Sequence, residues 1–454
     1  MLAGGALPAA AETIAITNGI VARGDGSVPE QGGTVVIRDG RIVAAGGGVS
    51  VPAGARIVDA RGKWVTPGIV AGFSRLGLAE VDLGAAGSDD TDADSGPFSA
   101  AIDVEPAINP LATTIAVSRS DGVTRAVVAP AIPRSIFGGQ GAVIDTGADM
   151  RPVTRARVFQ FVELGEAGAA VAGGSRASAH VLFRNALREA AELRRFDTVR
   201  STGRRGSGDI LDQPVVRNPN ESRIYGPDAQ RSDDVLLTRF DAAALVPVLQ
   251  GRQYLLVHVE RASDILEVLK LKREFPSLKL VLVGVTEGWT VAGDIAAAGV
   301  PVIASAVNDL PSSFEQLAAT QSNVGRMRSA GVKVAIGLIN DNDTRFMFSA
   351  RQYAGNLVAL SRLPGATGLS WGEALKSITS APAEAIGMGA EIGSLAPGRR
   401  ADVVIWSGDP LESSSAAETV FIDGVQQPLE THQSKLRDRY RSLERNTLPE
   451  AYRH

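Results

Sequence analysis

The chain of 454 residues has no cysteine and only four histidines, His180, His258, His432 and His454, and this sets the chemistry it can do. Without cysteine there is no thiolate nucleophile, no disulfide and no thiolate-bound zinc. A catalytic zinc takes three nitrogen or oxygen ligands and keeps one position open. Here His432 and His454 fall in a polar C-terminal stretch, and His180 leads into a helical pattern through Leu182, Leu187 and Leu193, where it reads as a residue of a helix face. His258, in Val257-His258-Val259-Glu260-Arg261-Ala262, is left alone. One imidazole without companions does not hold zinc tightly, so His258 reads as a core histidine fixed by hydrogen bonds. Other candidates fare no better. Ser74, Thr286 and Ser305 lie near strand ends without a base in any motif, and the Gly-x-Ser-x-Gly elbow is missing. Gly138-Gly139-Gln140-Gly141 lacks the Lys and Ser/Thr of a phosphate cradle and reads as a loop turn. Asp89, Asp90, Asp92 and Asp94 lack the spacing and the glycine of a calcium loop. Asn340-Asp341-Asn342-Asp343 is consecutive, so its side chains diverge and it reads as a turn or helix cap.

The elements around these residues fall into two textures. Short β-rich runs with turn signals fill residues 12–58: Thr13-Ile14-Ala15-Ile16 before Asn18-Gly19, then Thr34-Val35-Val36-Ile37 before Asp39-Gly40, both hairpin signals. The same texture returns at 393–406 and 420–425, so one β-sandwich built from both chain ends is expected over 12–66 and 391–430. Between them β-like and helix-like segments alternate, among them strands at 255–259, 278–285, 300–304 and 332–338 and a helix at 262–274. That alternation predicts an α/β fold, a TIM-type (β/α)8 barrel over 67–390 with reactive groups at the strand C-termini. Two polar stretches, 84–97 and 201–234, read as surface loops, and 431–454 reads as a C-terminal helical tail. Residues 1–11, MLAGGALPAAA, resemble the end of a secretory signal, which implies a periplasmic or secreted protein, and no later run reaches the ~20 apolar residues of a membrane span. A net charge of -4 with both signs interspersed argues against nucleic acid and anionic membrane as partners.

Several motifs carry a resemblance. Pro67-Gly68-Ile69-Val70-Ala71-Gly72-Phe73-Ser74-Arg75 resembles the Pro-Gly-Leu-Ile-Asp-x-His-x-His strand of the amidohydrolase superfamily, Asn109-Pro110 and Gly122-Val123-Thr124 resemble its next stretch, and GSLAPGRRADVVIW at 393–406 is similar to its closing signature. The chain looks like an imidazolonepropionase-like member. The resemblance implies a barrel plus sandwich and an ancestral metal-assisted hydrolysis of C–N bonds. Carried over one by one, the ligands are mostly missing. The paired histidines fall on Phe73 and Arg75, the preceding aspartate on Ala71, the next histidine on Gly284 and the catalytic aspartate on Ile339; only His258 matches. A phenyl ring coordinates nothing and a guanidinium offers donors alone. The expectation is therefore a degenerate site with no metal and no catalytic residue, in which Arg75 pairs with a barrel carboxylate such as Glu260 as structural filler. The role expected is a silent binding or partner subunit, a homo-oligomer or a hetero-oligomer with an active amidohydrolase relative, or a receptor for a small-molecule or peptide ligand in a pocket of Phe73, Arg75 and Trp289. The alternative is a C–N hydrolase with an unconventional zinc site of His258, Glu260, Glu287 and Asp341.

Overall fold

A computed structural model describes residues 12–80, 89–93, 95–132, 134–202, 236–339 and 347–441. Two eight-stranded sheets carry the architecture. The smaller unit draws β1 (Thr13–Val21), β2 (Glu30–Arg38), β3 (Arg41–Gly46), β4 (Arg56–Asp59) and β5 (Trp64–Pro67) from one end of the chain. From the other end come β14 (Val403–Trp406), β15 (Ala417–Ile422) and β16 (Val425–Gln426). Their order is β16-β15-β14-β5-β1-β2-β3, with β4 beside β1, so the antiparallel pairing of β5 with β14 joins the two ends. Asp39 and Gly40 both take positive φ in the two-residue turn between β2 and β3, as the hairpin signal required. Asn18-Gly19 does not turn the chain. Asn18 has φ 57° inside the continuous β1, and the pairing with β2 slips between Ile16 and Gly19, which makes this a bulge.

The larger sheet is a nearly closed barrel. Its strands are β6 (Ile69–Ser74), β7 (Val123–Val128), β8 (Phe137–Asp145), β9 (Val153–Glu163), β10 (Tyr254–Val259), β11 (Lys279–Gly284), β12 (Val302–Ser305) and β13 (Val334–Gly337), each bonded to the next. Seam strands β6 and β13 approach closely enough that a Cβ on Gly72 would sit 2.8 Å from the Ile336 carbonyl. The βα alternation from β10 onward follows the sequence pattern, with helix Ala262–Glu274 after β10 and helix Ala292–Ala298 ending at the left-handed Gly299. One strand departs from the all-parallel pattern. β8 runs antiparallel to both β7 and β9, so β7–β8–β9 is a meander, and Gly138 to Gly141 lie inside β8 rather than in a loop turn. Glycine is needed there because the ring of Phe159 and the Val128 carbonyl occupy the space of a Gly141 side chain.

Alternation along β10 sorts the side chains. Leu255, Val257 and Val259 join the apolar layer under the helices, while Leu256 packs inside the barrel with Phe73, Phe161, Val283, Ile303 and Ile339. Residues 383–392 close the bottom of that inner core through Ala383, Ile386 and Met388. Beyond the barrel, His180 stands in helix Arg176–Thr202 and the described part of the C-terminal tail is helix His432–Tyr440. Among the described residues no helix is long and apolar enough to cross a membrane.

Candidate functional site

Phe73, Arg75, His258, Glu260, Gly284 and Ile339 lie at the C-terminal ends of β6, β10, β11 and β13, the face on which barrels of this kind place their chemistry. Because Leu256 faces inward, His258 and Glu260 two and four residues on do so too, and both are buried. His258 is held from two sides. Its Nδ1 is 2.8 and 2.7 Å from the two oxygens of Glu163, at the end of β9, and its Nε2 is 3.1 Å from Oε1 of Glu260. Burial works against a charged imidazole, but the Glu163 carboxylate, then Glu260, outweighs it, and the pKa of His258 stands well above the ordinary value of 6.5. Both ring nitrogens then donate. Burial would raise Glu260, yet its bond with His258 and the Thr286 amide, 2.7 Å from Oε2, hold its carboxyl below the usual range. The centre of the site is an imidazolium between two carboxylates.

Gly284 completes this arrangement by having no side chain. It takes φ +88°, and a Cβ there would lie 2.6 Å from Oε1 of Glu260 and 2.7 Å from Nε2 of His258. The histidine that the resemblance places at this position would displace the pair. Val285 follows with φ 60°, an unusual conformation for a β-branched residue, and its amide bonds the Val259 carbonyl at 2.8 Å. On the other side of the barrel, Phe73 is 3% exposed and packs against Phe161, with ring centroids 5.4 Å apart. Ile339 belongs to the same apolar cluster, so two positions that the resemblance aligns with ligands are core residues here. Arg75 places its guanidinium carbon 5.7 Å from the Phe73 ring centroid. Arg75, expected to pair with a barrel carboxylate such as Glu260, stands just after β6, while His258 and the Thr286 amide engage the Glu260 oxygens.

Two further expectations meet other geometry. Glu287 accepts from the Ala262 amide at 3.0 Å and the Ala318 amide at 3.0 Å, so it staples a helix start to a loop. Trp289 donates from its indole to the Ala318 carbonyl at 2.8 Å, beneath Arg326 at 4.3 Å, in that same loop contact. Asp341, with the rest of 340–346, lies outside the described residues, as do Asp94, His454 and residues 1–11. Zinc requires an unprotonated imidazole nitrogen as ligand. Here both nitrogens of His258 are engaged by carboxylates, and no group of three or more His, Cys, Asp or Glu among the described residues is arranged to hold a metal. The described residues do not fit a metal centre. Sequence reasoning missed Glu163; the signal available was the run Val158-Phe159-Gln160-Phe161-Val162-Glu163, an apolar strand ending in a lone carboxylate.

Comparisons with known proteins show what this chain is similar to. Residues 272–429 match the profile of the Amidohydrolase family. The chain is similar to "Amidohydrolase tasK" of Hapsidospora irregularis, 26% identical over 83% of this chain but only 38% of that protein's own length. Its fold resembles an amidohydrolase from Thermotoga maritima with a TM-score of 0.75 and 23% identity, covering 91% of this chain and 99% of the other. It also resembles an N-isopropylammelide isopropylaminohydrolase from Burkholderia multivorans, with a TM-score of 0.50 and 17% identity over 91% and 98% of the two chains. The match over 272–429 makes that part of the chain similar to the Amidohydrolase family, and the barrel with its second sheet shares the fold of these solved structures.

Proposed function

We propose that this chain is a silent member of that family, one that keeps the scaffold, binds no catalytic metal and acts as a binding or partner subunit. The observation that carries this reading is the clamp on His258. The single recognisable family ligand is a doubly bonded imidazolium between Glu163 and Glu260. Metal-assisted hydrolysis needs a cation to turn bound water into hydroxide near neutral pH, and a carboxylate to move its proton. In this chain the proton sits on the imidazole and the carboxylates are occupied holding it. The natural partner in this proposal is a second copy or a catalytically complete relative. Export to a periplasm, expected from residues 1–11, belongs to the same proposal.

The test is elemental analysis of protein purified from zinc-supplemented medium and dialysed against a weak chelator. Far less than one zinc per chain is expected. One or more tightly held zinc ions per chain would overturn the proposal and favour the rival hydrolase.

A further inference from the structure

A cavity lies at the end of the barrel opposite His258. It has a volume of about 430 Å³, within the size of small-molecule sites. Its walls come from the starting ends of strands, with Tyr254 opening β10, Lys279 and Leu280 opening β11, and Lys333 and Val334 opening β13. The floor helix Ser380–Ala385 contributes Ala381 and Ala385, and helix Asn323–Ser329 contributes Val324 and Arg328. None of these residues belongs to the His258 cluster.

The charges are unbalanced. Five cations, Lys272, Lys279, Arg328, Lys333 and Lys376, line the cavity with two carboxylates, Glu373 and Glu384. Each carboxylate is matched to a cation: Arg328 Nε lies 3.3 Å from Glu373, and Lys376 Nζ lies 3.4 Å from Glu384. Three lysines stand over. Lys272 donates to the Ala298 carbonyl at 2.9 Å, and the ammonium of Lys279 sits 5.2 Å from the centroid of the Tyr254 ring, so no carboxylate of the cavity wall answers either charge. Lys333 is exposed at the rim. Below these ammonium groups the wall is apolar, with Leu278, Leu280, Val334 and Leu369. Cationic heads above an apolar wall match an amphiphilic anion, because the lysines stay hydrated at the rim while the ligand body removes apolar surface from water.

We infer that this cavity binds an organic anion with a compact apolar body and a carboxylate or phosphate head. The inference is independent of the silent-site proposal. The site stands at the far end of the barrel and requires neither a metal nor its absence.

The experiment is calorimetric titration of the full chain with 1-naphthoate, with neutral 1-naphthamide as its uncharged counterpart and inorganic phosphate as the head alone. Saturable binding of one naphthoate per chain is expected, at least fivefold tighter than either comparator. The Lys279→Gln/Lys333→Gln double variant, which changes two exposed side chains, should weaken naphthoate at least fivefold and abolish the preference over naphthamide. Ala381→Trp, which fills the cavity from the floor helix, should abolish binding at an unchanged unfolding midpoint. Absence of saturable naphthoate binding, equal affinity in the double variant, or phosphate binding as tightly as naphthoate would each overturn the assignment.

Discussion

Two charged clusters of this barrel, one where it meets the small sheet and one at its mouth, have had opposite fates. At the junction Arg125 is fully buried and reaches Asp402 through two hydrogen bonds of 2.8 and 2.9 Å, with Asp145 at 3.3 Å, Asp423 at 3.0 Å and Thr154 at 2.6 Å. Burial pushes the Asp145 carboxyl up to about 6 although Arg125 pulls the other way. Three stretches that carry the resemblance, around Pro67-Gly68, Gly122-Val123-Thr124 and 393–406, meet here. The Gly68 amide bonds the Asp402 carbonyl at 3.0 Å, the Ile69 amide bonds Gly122 at 3.0 Å, and Trp406 Nε1 donates to Thr66 at 2.8 Å. Gly68 faces the Thr124 side chain so closely that any Cβ would collide. At the mouth, by contrast, Phe73 and Ile339 are core residues, Gly284 has no side chain, and His258 lies between the carboxylates of Glu163 and Glu260. The difference separates residues that hold the two sheets together from residues that line the barrel mouth. Only the first set is needed for the chain to fold.

The sharpest way to break this comparison is Arg125→Met. It leaves Asp145, Asp402 and Asp423 facing one another without a cation, and removing one partner of a buried ionic cluster costs about 3–5 kcal/mol. Urea unfolding should show a large fall in midpoint, and an unchanged midpoint would remove the distinction between junction and mouth. Next in size is Gly284→His, the apparent restoration of a ligand. The left-handed backbone alone costs a non-glycine residue about 1–3 kcal/mol, and the collision with Glu260 and His258 adds to it. This variant should be less stable and still take up no zinc; a tight metal site in it would mean that the pair yields easily.

The smallest effect concerns protons. His258 has its pKa raised in the fold, so its stabilisation is complete below 6.5 and is lost as pH rises through the higher folded value. Glu260 is depressed, so its contribution is present above 4.5 and is lost as pH falls through the lower folded value. Between those limits the mouth is at its most stable. Glu163→Gln should lower the His258 pKa, read by NMR titration of the ring, and cost about 1.5–3 kcal/mol for the lost charge-assisted bond near neutral pH. A ring that titrates as before would show that Glu163 does not set its charge.

How much of this was legible beforehand follows the same division. The barrel and the second sheet could both be read, because they rest on periodicity and on motifs whose residues are close in sequence. Glu163 could not be tied to His258, since the two lie 95 positions apart and only the parallel pairing of β9 with β10 brings them together. The role of Arg125 was hidden likewise, its aspartates coming from β8 and from beyond β13. The reversal of β8 escaped because an antiparallel strand and a parallel one are both apolar when buried on two faces. Asn18-Gly19 misled because a bulge and a turn ask the same left-handed backbone of the same residue types.

The pairing of β5 with β14 also governs how the polypeptide emerges during synthesis. Trp64 to Pro67 must wait for Val403 to Trp406, so one edge of an otherwise finished N-terminal sheet stays open while more than three hundred intervening residues are made. An open edge is a template for association with other nascent chains, and such distant pairing is slow to form. Overproduction should therefore tax chaperone capacity for this protein more than its compact final shape suggests.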